Sequence, residues 1–136
     1  MTTHTEKGIL VSDFDGTMTR NDFYDLVCKE FPEILKLGAW EKYEAGEITH
    51  FEALRQMFAA IRSKEKKLLS LIARMEIEPG LGTLIPELQS KGWEVVVASA
   101  GCAWYIEKLL AGAGVILTVH ANPGKFSEGK GLEMRF

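Results

Sequence analysis

Gly8-Ile9-Leu10-Val11-Ser12-Asp13-Phe14-Asp15-Gly16-Thr17 is the stretch from which the rest of the chain can be read. Ile9, Leu10 and Val11 form a short apolar, partly β-branched run, the pattern of a strand buried on both faces of a parallel sheet. The run stops at two carboxylates, Asp13 and Asp15, and then at Gly16. Side chains two apart in extended chain point the same way, so the two acids converge on one side of the strand's carboxyl end. Open α/β sheets bind their ligands there. Paired carboxylates repel one another unless a cation or a shared proton compensates them. An Asp-Gly turn with two solvated acids is the plainer reading of the same residues.

Asp13-Phe14-Asp15-Gly16-Thr17 resembles the first motif of the haloacid dehalogenase-like hydrolases, most of which are Mg²⁺-dependent phosphatases. The resemblance implies that Asp13 attacks phosphorus and carries an aspartyl-phosphate. It implies that Asp15 protonates the leaving alkoxide and then deprotonates the attacking water. Two neighbouring acids divide such roles only if their surroundings set their pKa values apart. Mg²⁺, a hard cation that often bridges carboxylate and phosphate, suits Asp13 and Asp15 better than zinc does. Thr17 joins the phosphate-binding residues by the same resemblance.

Downstream, the pattern turns helical. Thr19, Asn21 and Asp22 offer N-caps for a helix from about Phe23 to Glu30. Pro32 interrupts it, and a short piece runs on to Gly38. Thr49-His50-Phe51-Glu52 reads as a capping box, Thr49 bonding forward and Glu52 reaching back. Phe51, Leu54, Phe58 and Ile61 share one face of the helix behind it. Ser63 is expected to cap a further helix with the stripe Leu68, Leu69, Ile72 and Met75. Successive helices without a strand break the alternation of a doubly wound sheet. Residues 22–77 therefore read as an inserted helical cap, and 1–21 with 78–136 as a Rossmann-like core. In the resembling family such a cap covers the site and selects the substrate, and Asp22 stands at its entrance as a substrate-binding candidate.

The core resumes with a helix carrying Leu81, Leu84, Ile85 and Leu88 on one face and Pro86 inside it. Trp93 to Ala98 is the second strand, a helix follows from about Ala103 to Ala113, and Val115 to Val119 is the third strand. The β-cap-α-β-α-β order is that of a parallel sheet with right-handed crossovers. Ser99-Ala100-Gly101 lies between the second strand and the next helix, where main-chain N–H groups and the helix dipole favour phosphate. The small Ala100 and Gly101 let an oxygen approach the backbone. The resembling family carries a phosphate-binding Ser or Thr at this place. A plain helix N-cap is the other reading of Ser99. The last residues, with turn signals on either side of Phe126, suggest a hairpin.

The family's third motif is a Lys or Arg and its fourth one or two acids. Lys125 and Lys130 are the only late lysines, with Glu128 and Glu133 as weak substitutes for the acids, and both lysines lie in turn-rich sequence. The C-terminal part of the core thus reads as missing. Ile9 to Val11 would then form an exposed apolar edge, inviting self-association.

The chain has 136 residues, a net charge of −3, 46% apolar and 26% charged residues. That suits one domain with a real core. The charge gives no electrostatic reason to expect nucleic acid or an anionic membrane as partner. Cys28 and Cys102 lack metal-ligand spacing. Met1 to Lys7 is polar, unlike a signal peptide, and the cytoplasm is the default compartment. His4, His50 and His120 are scattered and read as surface or capping residues.

The expectation is a Mg²⁺-dependent phosphomonoesterase acting on a small phosphorylated metabolite. Asp13-Phe14-Asp15-Gly16-Thr17-Met18-Thr19, Asp22 and Ala121-Asn122-Pro123-Gly124 are most similar to the branch holding phosphoserine phosphatase and the methylthio-ketopentenyl phosphate phosphatase. A non-catalytic remnant that binds a phosphorylated ligand or a protein is the alternative. A receiver-type signalling domain, also acidic and Mg²⁺-binding, fits less well, because a long helical insertion follows the first strand directly.

Overall fold

The structure is a computed structural model that describes residues 8–136. The polar segment 1–7 and His4 lie outside the described residues.

Three parallel strands form the main sheet in the order β1-β2-β3: β1 (Gly8–Ser12), β2 (Trp93–Cys102) and β3 (Thr118–Asn122). Gly8 pairs with Trp93 and Ser12 with Val97, which brings the carboxyl ends of β1 and β2 level. Asp13 and Ser99 follow directly from that register. Between β1 and β2 lie α1 (Phe23–Glu30), a 3-10 helix (Pro32–Leu37), α2 (Ala39–Glu44), α3 (His50–Ala59), α4 (Glu65–Ala73) and α5 (Leu81–Ser90). α6 (Ala103–Gly112) connects β2 to β3. β4 (Gly124–Ser127) and β5 (Gly131–Met134) form the expected antiparallel hairpin as a separate sheet.

Between Met18 and Asn21 the chain runs alongside residues 74–78. Thr19 and Ile77 form an antiparallel bridge, Arg20 and Asn21 donate their main-chain N–H to the Met75 carbonyl, and Glu78 donates to that of Met18 at 2.8 Å. This crossing brackets α1 to α4. α2 was not anticipated; it begins after Gly38, whose φ of +71° suits glycine.

The core runs through both parts without a break. Phe14, Phe23, Val27, Phe58, Leu68, Met75, Val97, Tyr105 and Ile106 are all fully or almost fully buried. The hairpin joins it: Leu132 and Met134 are buried, and Gly131 lies so close to α3 that a Cβ would overlap the Ala59 carbonyl.

Several local expectations are corrected. Ile9 and Val11 are 59% and 61% exposed, so β1 is not buried on both faces as its apolar run suggests; among the described residues its one neighbour is β2, and it forms the exposed apolar edge that was the other expectation. β3 starts at Thr118, three residues later than the Val115 that was read, because Val115 packs into the core as the chain leaves α6. β2 extends through Cys102, with irregular pairing to β3 between Ala98 and Cys102. Leu69 and Leu84 are exposed, and Leu71 is buried in the place given to Leu69. Thr49 Oγ1 accepts the Glu52 N–H as expected, but Glu52 does not reach back: its carboxylate binds Arg55 and Gln56 instead. Lys64, not Ser63, holds the N-cap position of α4, and the Glu65 N–H points to Glu128 Oε1 from the hairpin turn at 3.4 Å.

Candidate active site

Phe14 anchors the acidic loop. Its ring is fully buried, and its carbonyl accepts the N–H groups of Thr17 and Met18 at 3.1 and 2.9 Å. Gly16 turns the chain at φ +75°, and its N–H goes to Thr19 Oγ1 at 3.0 Å. Thr19, itself 4% exposed, passes its proton to the Asn21 carbonyl. With Phe14 turned into the core, Asp13 and Asp15 face a crevice of about 190 Å³. Asp22, Tyr24, His50 and Phe58 line it from the helical side, and Ser99, Ala100, Gly101 and Tyr105 from the β2–α6 side.

The two acids sit in different surroundings. Asp13 is exposed, and its Oδ1 accepts the N–H of Phe14 at 2.8 Å. Asp15 is half-buried and held by two donors. The Tyr105 hydroxyl donates to Oδ1 and Oδ2 at 2.9 and 3.0 Å, and the Phe23 N–H, first in α1, donates to Oδ2 at 3.0 Å. Burial pushes the Asp15 carboxyl up to about 6; those hydrogen bonds oppose the rise, and the charges of Asp22 and Asp13 add to it. Asp22 is also raised, mainly by burial, while its Oδ1 caps α1 by accepting the Asp25 N–H at 3.2 Å.

Ser99 is not a helix N-cap. It lies three residues before the N-cap position of α6, which Cys102 fills without a side-chain bond, and its Oγ accepts the Gly101 N–H at 3.0 Å. Asn122 Nδ2 secures the same turn by donating to the Ala100 carbonyl at 2.9 Å. Cys102 is buried, and burial drives its thiol up to about 11, opposite to the effect of a helix N-terminus.

The crevice thus unites Asp13, Asp15, Asp22, Ser99, Ala100 and Gly101. Thr17 instead lines a separate cavity with Thr19, Glu76 and Pro79 where the two linkers cross. Lys125 and Glu133 line a third cavity with Arg55 and Arg135, and Glu128 is turned to α4. Among the described residues, those lining the crevice include no Lys or Arg. Tyr24, His50, Phe58 and Tyr105 were not singled out as site residues. Tyr105 lies in the first turn of α6, and no local signal marks it.

The family model for haloacid dehalogenase-like hydrolases matches residues 10–134. A phosphoserine phosphatase of Idiomarina loihiensis is 30% identical over 124 residues, covering 90% of this chain and 56% of that protein. A 2-hydroxy-3-keto-5-methylthiopentenyl-1-phosphate phosphatase of Bacillus pumilus is 26% identical, covering 90% of this chain and 54% of the relative. The chain therefore spans about half the length of these curated relatives. Among solved structures, a phosphoserine phosphatase bearing a phospho-aspartyl intermediate analogue aligns with a TM-score of 0.66 at 25% identity, over 96% of this chain and 64% of that one. A hydrolase of the same family from Salmonella enterica serovar Typhi shares the fold, with a TM-score of 0.71 at 20% identity over 94% of this chain and 44% of that one.

Proposed function

This chain belongs to the haloacid dehalogenase-like hydrolases, and on that premise we propose that it carries the nucleophile side of a phosphomonoesterase site for a small phosphorylated metabolite. One observation carries the reading. Asp13 and Asp15, two residues apart in one crevice, are an exposed carboxylate and a half-buried carboxyl raised to about 6. An attacking group must be ionised, and a proton donor must hold its proton near working pH.

An Asp13 carboxylate oxygen attacks phosphorus, and the ester P–O bond breaks as the leaving oxygen takes the proton of Asp15. Asp15, now ionised, removes a proton from water, which attacks the phosphorus. The bond to Asp13 then breaks, and inorganic phosphate leaves. Ser99 and the small Ala100 and Gly101 form the wall on which phosphoryl oxygens are held. Asp22, Tyr24 and His50 meet the remainder of the ester from the helical side, in keeping with 22–77 acting as a cap. Thr17 would reach phosphate only by turning from the linker cavity toward the crevice.

The donor set suits Mg²⁺. Among the described residues no group of three or more His, Cys, Asp or Glu could hold a metal by itself. Mg²⁺ is commonly held by one or two carboxylates together with phosphate and water. Of the expected pair, Asp13 would hold the ion through its exposed carboxylate, while Asp15, protonated for the acid step and already engaged by Tyr105 and Phe23, would be the weaker ligand. Bound there, Mg²⁺ would neutralise phosphoryl charge. Among the described residues no helix is long and apolar enough to cross a membrane. The test of the whole reading is a search for phosphate on Asp13 after reaction with an ester.

A further inference from the structure

Tyr105 is the largest fully buried side chain, and its place is over-determined. Its ring stacks on Phe23, with centroids 4.3 Å apart and planes 14° from parallel, and it meets Phe14 at 6.4 Å. Phe23 in turn meets Phe58 edge-on at 5.1 Å. The hydroxyl has one destination, the Asp15 carboxylate, both of whose oxygens lie within hydrogen-bond distance. A buried phenol needs such a partner. The path is kept open by Gly101, where a Cβ would overlap the hydroxyl. The hydroxyl, nearly equidistant from both oxygens, holds the end of the carboxylate in place, and the Phe23 N–H on Oδ2 limits its rotation.

We propose that Tyr105 is a positioning residue, whose hydroxyl holds the Asp15 carboxyl group in the orientation that delivers a proton to the leaving oxygen. The inference rests on the reading of Asp15 as the acid. The hydroxyl gives up no proton itself; burial and the Asp15 charge keep it protonated far above the ordinary phenol range. Its contribution is geometric, and proton transfer by a placed side chain contributes about 10²–10⁴ in rate, which misorientation erodes.

The test compares Tyr105→Phe, which keeps the stacked ring, with Asp15→Asn in the full chain. The first readout needs no turnover. With tyrosine labelled at ¹³Cζ, Tyr105→Phe identifies one of three signals by its loss, and Asp15→Asn is expected to shift that same signal while leaving Tyr24 and Tyr43 in place. An unmoved signal overturns the hydrogen bond and the proposal with it. The second readout is kcat/KM, which covers the steps up to departure of the leaving group and leaves out hydrolysis of the intermediate common to all esters, on an alkyl phosphate and on p-nitrophenyl phosphate, whose leaving group needs little protonation. Tyr105→Phe is expected to lower kcat/KM on the alkyl ester about tenfold, with a much smaller loss on the aryl ester. Equal losses on both esters, or none, would overturn the positioning role while Asp15→Asn still discriminates between them. If Asp15→Asn does not discriminate either, Asp15 is not the acid, and the underlying reading falls together with the proposal.

Discussion

Phe23 gives its main-chain N–H to Asp15 Oδ2 at 3.0 Å and its ring to the hydrophobic core. The first residue of the first inserted helix therefore holds the carboxyl group that follows the first strand. The insertion and the acidic loop are one structural unit. Three buried aromatic rings, Tyr105, Phe23 and Phe58, continue that unit from α6 through α1 to α3.

Truncating the middle ring of this series should be among the most destabilising single changes in the chain. Phe23→Ala is expected to cost about 3–5 kcal/mol, the range for buried Phe to Ala. Urea unfolding of the two proteins checks this. A loss below about 1 kcal/mol would mean that α1 is not integrally packed.

Asp15 should leave a signature in stability against pH. Burial raises its folded pKa to about 6, above the ordinary carboxyl value, so the folded state binds the proton more tightly. That contribution is fully present below about pH 4 and is lost as pH rises through 6. Asp15→Asn lacks this dependence. In metal-free buffer, its melting temperature relative to the parent should climb steadily between pH 4 and pH 7. A flat difference would show that Asp15 is not raised.

Turnover by the 136-residue chain itself should be low. The crevice lining, among the described residues, holds no Lys or Arg to meet phosphoryl charge. Phosphoryl transfer depends heavily on such groups, and losing one electrostatic stabiliser commonly costs about 10²–10³ in rate. Assayed beside the Idiomarina loihiensis phosphoserine phosphatase on p-nitrophenyl phosphate with Mg²⁺, the chain is expected to be slower by at least that factor. Equal rates would show that the residues present suffice.

The β1 edge should make the isolated chain self-associate. Ile9, Leu10 and Val11 expose apolar side chains on an edge with one neighbour, the arrangement that recruits further strands. Sedimentation velocity is expected to show association rising with concentration, and Val11→Lys should suppress it. A monomer at every concentration would contradict this.

The parts of the fold that follow from periodicity and punctuation were legible in the sequence: the strand before Asp13, the run of helices behind it, the breaks at Pro32 and Gly38, and the hairpin around Phe126. Parallel register then brought Asp13 and Ser99 together, as strand order required. What the sequence did not disclose depends on long-range packing. Nothing local distinguishes Tyr105 from the other apolar positions of α6; its hydroxyl matters because Asp15 lies against it, 90 residues away in the chain. His50 and Tyr24 reach the crevice only because α1 and α3 fold over it. A cap reading of Ser99 stood beside the phosphate-binding one because its side-chain chemistry is the same in either role; α6 begins at Ala103, as the sequence suggests, with Cys102 in the N-cap position. The apolar run Ile9 to Val11 reads locally as a strand buried on both faces; its exposure follows from strand order, since among the described residues β1 has β2 as its one neighbour.

The account turns on Asp13 as the atom-transferring nucleophile, and the most direct measurement is to find the phosphate on it. The protein is mixed with a phosphate ester and Mg²⁺, quenched in acid, reduced with borohydride and mapped by peptide mass spectrometry. Borohydride converts an acyl phosphate to the alcohol, so position 13 should be recovered as homoserine. The signal should grow in Asp15→Asn, where hydrolysis of the intermediate is slowed, and vanish in Asp13→Asn together with turnover. Ester hydrolysis that proceeds with Asp13 unmodified, or that survives Asp13→Asn unchanged, would contradict the covalent mechanism.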